Sequence, residues 1–430
     1  MSSSQVSDAT GGGFSARSLI KLFLALCLAS LGIVLRVGHV HLLPLQALLL
    51  FGSSVLAAAF LLAWAAEALQ VDISQGLAMA VLAFIAVLPE YAVDLYFAAS
   101  AAHTPSHAQY AAANMTGSNR LLIGVGWSLV ALCSIYATLR GRGQAKADGT
   151  ADQSEPAVTM NAGFGVDLTV LAIATVWSFA MPLFGAIAIW NGAGLLVLFA
   201  FYVWRVSSND EAEPELAGVA QELGALPKIP RRTSVILILM VAAGTLLAAA
   251  EPFAESLIGS GEQLGIDKFL LVQWLAPLAS EAPELLVATI LALRGHGAAG
   301  MSALLFSKVS QWTLLVGTLP IAYSIALGHV GALVLDARQT EELILTASQS
   351  MLGVSFLLNG RLSGKKAVLL LLLFLVQLPF PQANVRYGLS ALYLVLAAVQ
   401  IVRHRRFIGQ HLKLTFNPPK PSAAAEGSAL

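Results

Sequence analysis

Long apolar stretches separated by short polar segments recur along the whole chain. Each is about 20 residues long, the length of helix that crosses roughly 30 Å of hydrocarbon. Because lipid offers no partner for backbone N–H and C=O groups, such a stretch adopts a helix, which pairs these groups internally. We predict twelve spans, at residues 18–36, 43–66, 74–102, 107–139, 164–182, 185–204, 233–257, 266–293, 299–327, 340–359, 365–380 and 386–403.

Composition supports a lipid environment. Hydrophobic residues make up 57% of the chain and charged residues 11%, with a mean hydropathy of +0.77, whereas soluble domains carry about 25% charged residues. So little charge cannot cover a globule in water, and the bilayer is therefore the expected partner. Lys and Arg together number 24, as do Asp and Glu, so the net charge gives no indication of a nucleic-acid partner.

The positive residues are distributed unevenly between the two faces. With the twelve spans above, 18 of the 24 Lys and Arg residues fall on the face of the N-terminus and 4 on the other. Positive residues collect on the cytoplasmic side of a membrane, so both termini are expected there. Abundant Ala and Leu, without a long regulatory insertion, indicates a multi-pass protein of a bacterial inner (cell) membrane.

Two pieces of the chain resemble each other. AVLPEYAVDLYFA at residues 86–98 matches SEAPELLVATILA at 280–292. In the helix that follows each piece, Asn114 aligns with Ser307 and Ser118 with Gln311. The matching pieces lie in the third and eighth spans, and this odd separation makes the copies enter the membrane from opposite sides. An inverted repeat of this kind is how many secondary transporters build one site at the midplane.

The predicted fold is an all-α polytopic membrane protein with about twelve transmembrane helices, in which two inverted five-helix repeats are flanked by one extra helix at each end. The expected segments are a disordered tail at 1–16, an extra helix at 17–42, the first repeat at 43–204, a cytoplasmic linker at 205–232, the second repeat at 233–380, an extra helix at 381–408 and a cytoplasmic tail at 409–430.

Each repeat carries a Pro-Glu pair in mid-span. Pro89 and Pro283 remove an amide donor and leave carbonyl oxygens free to face a cation. The adjacent Glu90 and Glu284 are costly in lipid unless a partner or a wet cavity receives them. The alternative interpretation of a Pro-Glu pair is a helix kink with a carboxylate bound to a neighbouring helix. The occurrence of the pair in matched positions of both repeats favours an ion-binding site.

Calcium and sodium prefer oxygen ligands, and Ca²⁺ takes six to eight of them. The two glutamates, the freed carbonyls and the polar side chains nearby could supply such a shell. The candidate metal ligands are Glu90, Glu284, Asn114, Ser280, Ser307 and Glu281.

These residues resemble the calcium:cation antiporter superfamily, the sodium/calcium exchangers in the broad sense. The resemblance covers about 74–139 and 266–327 and rests on a Pro-Glu stretch followed, some 25 residues on, by a Gly-Ser-Asn-type stretch. It implies an exchanger fold and ion sites lined by the glutamates and by the first Asn of the second stretch. The positions it implicates are Glu90, Asn114, Ser280, Glu284 and Ser307, with Pro89, Pro283, Gly117, Ser118, Asn119 and Gln311 as motif support.

The chain also departs from the family pattern. Ala86 and Val87 stand where the family has Thr-Ser, so two side-chain oxygens are missing. Glu281 replaces a Ser in the second repeat, and Gln311 lies in the triplet that replaces Gly-Ser-Asn. These losses put a standard sodium/calcium stoichiometry in doubt.

Additional charges lie within the spans. Asp94 follows Glu90 by four residues, and Glu281 precedes Glu284 by three, so each pair shares a helix face and could hold a proton. Lys308 and Arg120 could replace a monovalent ion as tethered cations. We therefore expect coupling to protons or to fewer sodium ions; the alternative is that both cations make structural ion pairs with Asp94 or Glu281.

These observations favour a secondary antiporter that exchanges Ca²⁺ for Na⁺ or H⁺ by alternating access. Its partners would be inorganic cations and lipid, with no cofactor, and its oligomeric state is left open. An enzyme is not expected, because no His-Glu-x-x-His or Gly-x-Ser-x-Gly lies in a span. The alternative function is a transport-inactive or sensor-like relative that keeps the fold and has lost part of the ion site.

Overall fold

The computed structural model describes residues 14–72, 75–147, 156–160, 162–207, 216 and 218–417. Helices dominate this part of the chain. They are α1 (Ala16–Val37), α2 (Pro44–Leu69), α3 (Gln75–Ser100), α4 (His107–Leu121), α5 (Ser128–Ala147), α6 (Gly165–Ser178), α7 (Ala180–Phe184), α8 (Ile189–Ser207), α9 (Val219–Gly224), α10 (Lys228–Leu264), α11 (Lys268–Leu293), α12 (Gly297–Ser310), α13 (Val316–Leu327), α14 (Ala337–Leu357), α15 (Gly364–Gln377) and α16 (Ala383–Phe416).

Nine helical stretches among the described residues are long and apolar enough to cross a membrane. Three of them are compound. α4 continues into α5 and α12 into α13 through π-helical turns at Leu122–Trp127 and Gln311–Leu315, and α6 continues into α7. The remaining predicted spans correspond to α3, α14 and the shorter α15. A polytopic helical membrane protein is therefore confirmed, whereas the count of twelve spans stays a prediction.

Four short strands join loops of the two halves. They are β1 (Ala157–Thr159), β2 (Ala186–Ile187), β3 (Leu333–Val334) and β4 (Arg361–Ser363). β1 pairs antiparallel with β4, and β2 pairs antiparallel with β3. In each pair one strand comes from the first half and one from the second.

Several helices extend beyond the ends of the predicted hydrophobic spans. The sequence predicts a loop over 140–163, but α5 continues to Ala147, and β1 follows. It predicts a tail from 409, but α16 continues to Phe416 with a non-helical break at His404. Hydropathy marks where a helix leaves lipid, and a helix that enters water keeps its own hydrogen bonds. Most of the predicted tail at 1–16, and residues 418–430 of the tail predicted from 409, lie outside the described residues.

The linker between the halves is not simply solvated. Within it, α9 buries Val219 and Leu223. Burial alone would raise the pKa of the Glu222 carboxyl, but hydrogen bonds from Ser18 and Ser15 hold this pKa below its ordinary value. At the end of α2, Asp72 accepts bonds from Arg231 at 2.7 and 2.9 Å. These bonds attach α1 and α2, which begin the chain, to the segment that opens the second half.

Candidate ion-binding site

The two Pro-Glu pairs lie inside long helices, Pro89 in α3 and Pro283 in α11. Each proline removes the hydrogen bond to the carbonyl four residues before it. The adjacent Glu90 is 1% exposed, so its carboxylate is almost completely shielded from solvent. Such a group must be partnered from neighbouring helices.

In the first half, α4 supplies these partners. The Ser118 hydroxyl donates to Glu90 Oε1. One turn earlier on α4, Asn114 Nδ2 donates to Asp94 Oδ1 at 2.9 Å. Asp94 lies one turn beyond Glu90 on α3. Hydrogen bonds from two successive turns of α4 therefore bind two successive turns of α3.

In the second half, α12 and the π-helical turn after it play the same part. Ser307 Oγ donates to Glu284 Oε2 at 2.9 Å, and Gln311 Nε2 donates to Glu281 Oε1 at 2.5 Å. Because Ser307 is the counterpart of Asn114, the two halves bind their Pro-Glu glutamates in registers that differ by one turn. Sequence alignment of the repeats does not show this shift.

The two halves meet at Glu90 and Glu281. Their carboxyl groups lie within hydrogen-bonding distance of each other, and Gln311 also reaches Glu90. Oxygens Oε2 of both glutamates are buried and receive no donor among the described residues. Glu284 is close enough to both for their charges to interact. Two carboxylates this close to each other repel unless one holds a proton or a cation binds between them.

Lys308 is fully buried beside these carboxylates. Its ammonium donates to the backbone oxygen of Asn119 at 2.8 Å and to its Oδ1 at 2.6 Å. It also lies 5.2 Å from the centre of the Trp312 ring. Among the described residues Lys308 forms no ion pair. The structural ion pair of Lys308 with Asp94 or Glu281, which was the alternative from the sequence, is therefore absent there. Its charge still acts on Glu90 and Glu281 over a longer distance.

Arg120 points to a different partner. Its guanidinium pairs with Glu342 of α14 at 2.5 Å and donates to Gln377 of α15 at 3.2 Å. Glu342 also pairs with Arg386 of α16 at 2.7 Å. The sequence left open a structural ion pair of Arg120 with Asp94 or Glu281. Arg120 does form a structural ion pair, but its partner is Glu342. Arg386 extends the network to Glu341 at 2.6 Å.

Two further predicted site residues serve packing in this arrangement. The Ser280 hydroxyl donates to carbonyls of its own helix, at Ala276 and Pro277, both at 3.3 Å. Gly117 lets α4 approach α11 so closely that an added Cβ would lie 1.8 Å from the backbone oxygen of Gln273. Asn119, besides accepting from Lys308, donates Nδ2 to the Met115 carbonyl at 2.8 Å.

Sequence reasoning missed several acidic residues. Glu67 of α2 lies close enough to Glu284 for their charges to interact, and Glu341 and Glu342 are buried in α14. All three stand at the edges of predicted spans, where a charge is easily assigned to water. The π-helical turns were also missed; each directly follows a helix that contacts a Pro-Glu helix, α4 or α12, and π-turns frequently mark functional sites.

The carboxylates are arranged in pairs with donors between them. Among the described residues no three Asp, Glu, His or Cys side chains are grouped as a ready cage for a metal ion. The side chains of residues 75–87, which include Ala86 and Val87, lie outside the description. What the described groups can do is accept cations or protons at the oxygens of Glu90, Glu281 and Glu284.

Comparison with known proteins identifies the family of this chain. The family model described as sodium/calcium exchanger protein matches residues 43–207 and 234–381. The crystal structure of an H⁺/Ca²⁺ exchanger, CAX, is similar with 39% identity over 93% of this chain and 98% of that one, at a TM-score of 0.86. The comparison with curated proteins gives no match.

Two more distant solved structures share the fold. Native YfkE is 13% identical, covers 87% of this chain and 99% of that one, and has a TM-score of 0.60. The sodium-calcium exchanger NCX_Mj, soaked with Na⁺ and Sr²⁺, is 16% identical, covers 79% of this chain and 98% of that one, and has a TM-score of 0.52. At such identities the likeness concerns the arrangement of the helices.

Proposed function

The chain belongs to the sodium/calcium exchanger family, and from that premise we propose that it exchanges Ca²⁺ against protons across the membrane. Membership of this family makes the protein a cation antiporter of the lipid bilayer, with inorganic cations as substrates. The proton as counter-ion, the residues that bind it and the mechanism are the proposal. Its relative CAX is described as an H⁺/Ca²⁺ exchanger.

The contact between Glu90 and Glu281 carries the proposal. Each comes from a different half, and the Oε2 atoms of both lack a donor among the described residues. A shared proton satisfies both oxygens, and so does a divalent cation, which prefers carboxylate ligands. Since the same oxygens serve either ion, binding of one displaces the other, which is the basis of exchange.

Charge balance favours protons over several sodium ions. Lys308 supplies one fixed positive charge beside Glu90 and Glu281, where an exchanger with a complete oxygen set could hold a sodium ion. Ala86 and Val87 offer no side-chain oxygen. With fewer ligands and a resident cation, the remaining negative charge is neutralised either by Ca²⁺ or by protons on the carboxylates.

Transport would follow from alternate opening of this midplane site to the two sides. The first helix of each half, α2 and α10, pack against each other and present lipid-facing residues such as Leu49 and Leu247. We propose that they slide past a stiffer block that holds α3 and α11. The excess of Lys and Arg on the face of the N-terminus supports cytoplasmic termini in a bacterial inner membrane.

The test is ⁴⁵Ca²⁺ uptake into proteoliposomes under either an imposed pH gradient or an imposed Na⁺ gradient. We expect the pH gradient to drive Ca²⁺ uptake and the Na⁺ gradient to have little effect. The rate of uptake should fall by at least ~100-fold in Glu90→Gln and Glu284→Gln. The matched control is Glu262→Gln, an exposed carboxylate at the end of α10 that pairs with Lys268; it should transport normally.

Two results would count against the proposal. Uptake driven by Na⁺ alone would assign sodium as the counter-ion. Ca²⁺ binding without flux under either gradient would support the alternative function, a transport-inactive relative that keeps the exchanger fold.

A further inference from the structure

A second group of buried polar side chains lies where four helices meet, outside the carboxylates of the ion site. One residue comes from each of α4, α14, α15 and α16, and none is more than 5% exposed. These residues, which we call the Arg120 cluster, are Arg120, Gln349, Gln377 and Tyr393. Polar groups at this depth in a membrane protein need partners, because lipid offers none.

Arg120 uses one end of each glutamine in the cluster. Its guanidinium donates to Gln377 Oε1 at 3.2 Å, and its backbone oxygen accepts from Gln349 Nε2 at 3.1 Å. Tyr393 lies close enough to Arg120 for their charges to interact. All three neighbours therefore lie around the same arginine.

The other end of each neighbour is left over. In the part of the chain that the structure describes, three buried polar atoms of the cluster have no hydrogen-bond partner: Gln377 Nε2, Gln349 Oε1 and Tyr393 Oη. Buried polar atoms nearly always bind either a protein group or an ordered water. Three such atoms around one side chain indicate that a small ligand belongs there.

The charges of the surrounding network exclude an ion as that ligand. Arg120 and Arg386 both pair with Glu342, and Arg386 also pairs with Glu341. Two guanidinium groups and two carboxylates balance one another, so the network does not require a further cation or anion. The ligand is therefore neutral.

The three unpartnered atoms also fix the hydrogen-bonding character of the ligand. The amide nitrogen of Gln377 is a donor, the amide oxygen of Gln349 is an acceptor, and the hydroxyl of Tyr393 is both. A molecule that serves all three must itself donate and accept. Water is the small neutral molecule with this property, and buried waters commonly make about three hydrogen bonds to groups that lack other partners.

We propose that ordered water occupies the Arg120 cluster, bound by Tyr393 Oη, Gln377 Nε2 and Gln349 Oε1. It completes the hydrogen bonds at the place where α4 of the first half meets α14, α15 and α16. Because positive guanidinium groups repel cations and protons, this water is structural and lies outside the route of the transported ions. The site does not depend on the counter-ion proposed above.

The experiment is X-ray radiolytic footprinting of the full chain in detergent, read by mass spectrometry. Hydroxyl radicals form from water beside a side chain, so a buried tyrosine is labelled only where bound water touches it. We expect several-fold faster labelling of Tyr393 than of Tyr202. Tyr202 is the matched control, since it is equally buried and its hydroxyl donates to Asp167 at 2.7 Å. Equally slow labelling of the two tyrosines would overturn the proposal.

A variant separates bound water from bulk water that enters by opening of the helices. Gln377→Leu removes one of the polar atoms, and an apolar lining disfavours water, so labelling of Tyr393 should fall several-fold. Labelling that stays as fast as in the wild type would show entry of bulk water and contradict the bound site.

The melting temperature of Tyr393→Phe gives an independent measurement. Loss of a hydroxyl that binds water removes hydrogen bonds and should lower the melting temperature, whereas loss of an unpartnered buried hydroxyl should raise it. Tyr136→Phe on α5, where the tyrosine is 59% exposed, is the control and should leave the melting temperature unchanged. A melting temperature of Tyr393→Phe at or above that of the wild type would count against the water.

Discussion

At the scale of single residues, Lys308 is the group that most distinguishes this ion site. Its buried ammonium is held by two oxygens of Asn119 and acts on Glu90 and Glu281 at a distance. We propose that this fixed cation takes the place of one mobile cation among the carboxylates. Without partners, a positive charge at that depth costs at least about 2.5 kcal/mol.

We therefore predict that Lys308→Met changes coupling more than folding. The variant should need one more positive charge at the site, so the dependence of Ca²⁺ flux on proton concentration should steepen. The measurement is the pH profile of ⁴⁵Ca²⁺ uptake in proteoliposomes, with Lys308→Arg, which keeps the charge, as control. An unchanged profile and stoichiometry in Lys308→Met would refute the role of a tethered cation.

At the scale of elements, α4 and α11 approach each other closely at Gly117. Gly117 faces the backbone of Gln273 with no room for a side chain, and Gln273 Nε2 donates to Thr116 at 3.4 Å. This contact joins a helix of the first half to the Pro-Glu helix of the second. Small residues at such crossings let membrane helices approach closely.

Gly117→Ala is expected to destabilise the protein by about 1–3 kcal/mol, since a Cβ there forces α4 and α11 apart. The melting temperature in detergent measures the effect. Gly388→Ala on α16, where a Cβ meets nothing within 4 Å, is the matched control and should be neutral or stabilising. Equal melting temperatures for Gly117→Ala and wild type would contradict the packing role.

At the scale of the whole molecule, a buried ion network fastens the two halves and the last helix together. Arg120 of the first half pairs with Glu342 of the second, and Glu342 pairs with Arg386 of α16. All three side chains are buried. Breaking such a pair from one side leaves an uncompensated charge, which costs about 3–5 kcal/mol.

A double-mutant cycle tests this fastening. Arg120→Met and Glu342→Gln should each destabilise the fold strongly, and the double variant should lose less than the sum of the two by about 0.5–3 kcal/mol. Unfolding in mixed micelles provides the free energies. Strict additivity of the two losses would show that Arg120 and Glu342 are not coupled.

The prediction of spans and of the inverted repeat depended on local properties. Hydropathy reports transfer from water to lipid residue by residue, and the Pro-Glu pairs and their following helices repeat at a spacing that is visible in the chain. These features predicted a polytopic exchanger fold, and the family match confirms it. The ends of α5 and α16 escaped prediction because hydropathy does not report where a helix stops in water.

The sequence by itself thus determined that the chain is a polytopic helical membrane protein, that two of its pieces repeat, and that Glu90 and Glu284 lie within apolar helices. Only the tertiary structure decided the partners: Glu281 for Glu90, Asn119 for Lys308, Glu342 for Arg120. The reason is that partition into lipid sums over single residues, whereas a hydrogen bond or ion pair between distant segments depends on helix register and on separations of a few ångströms.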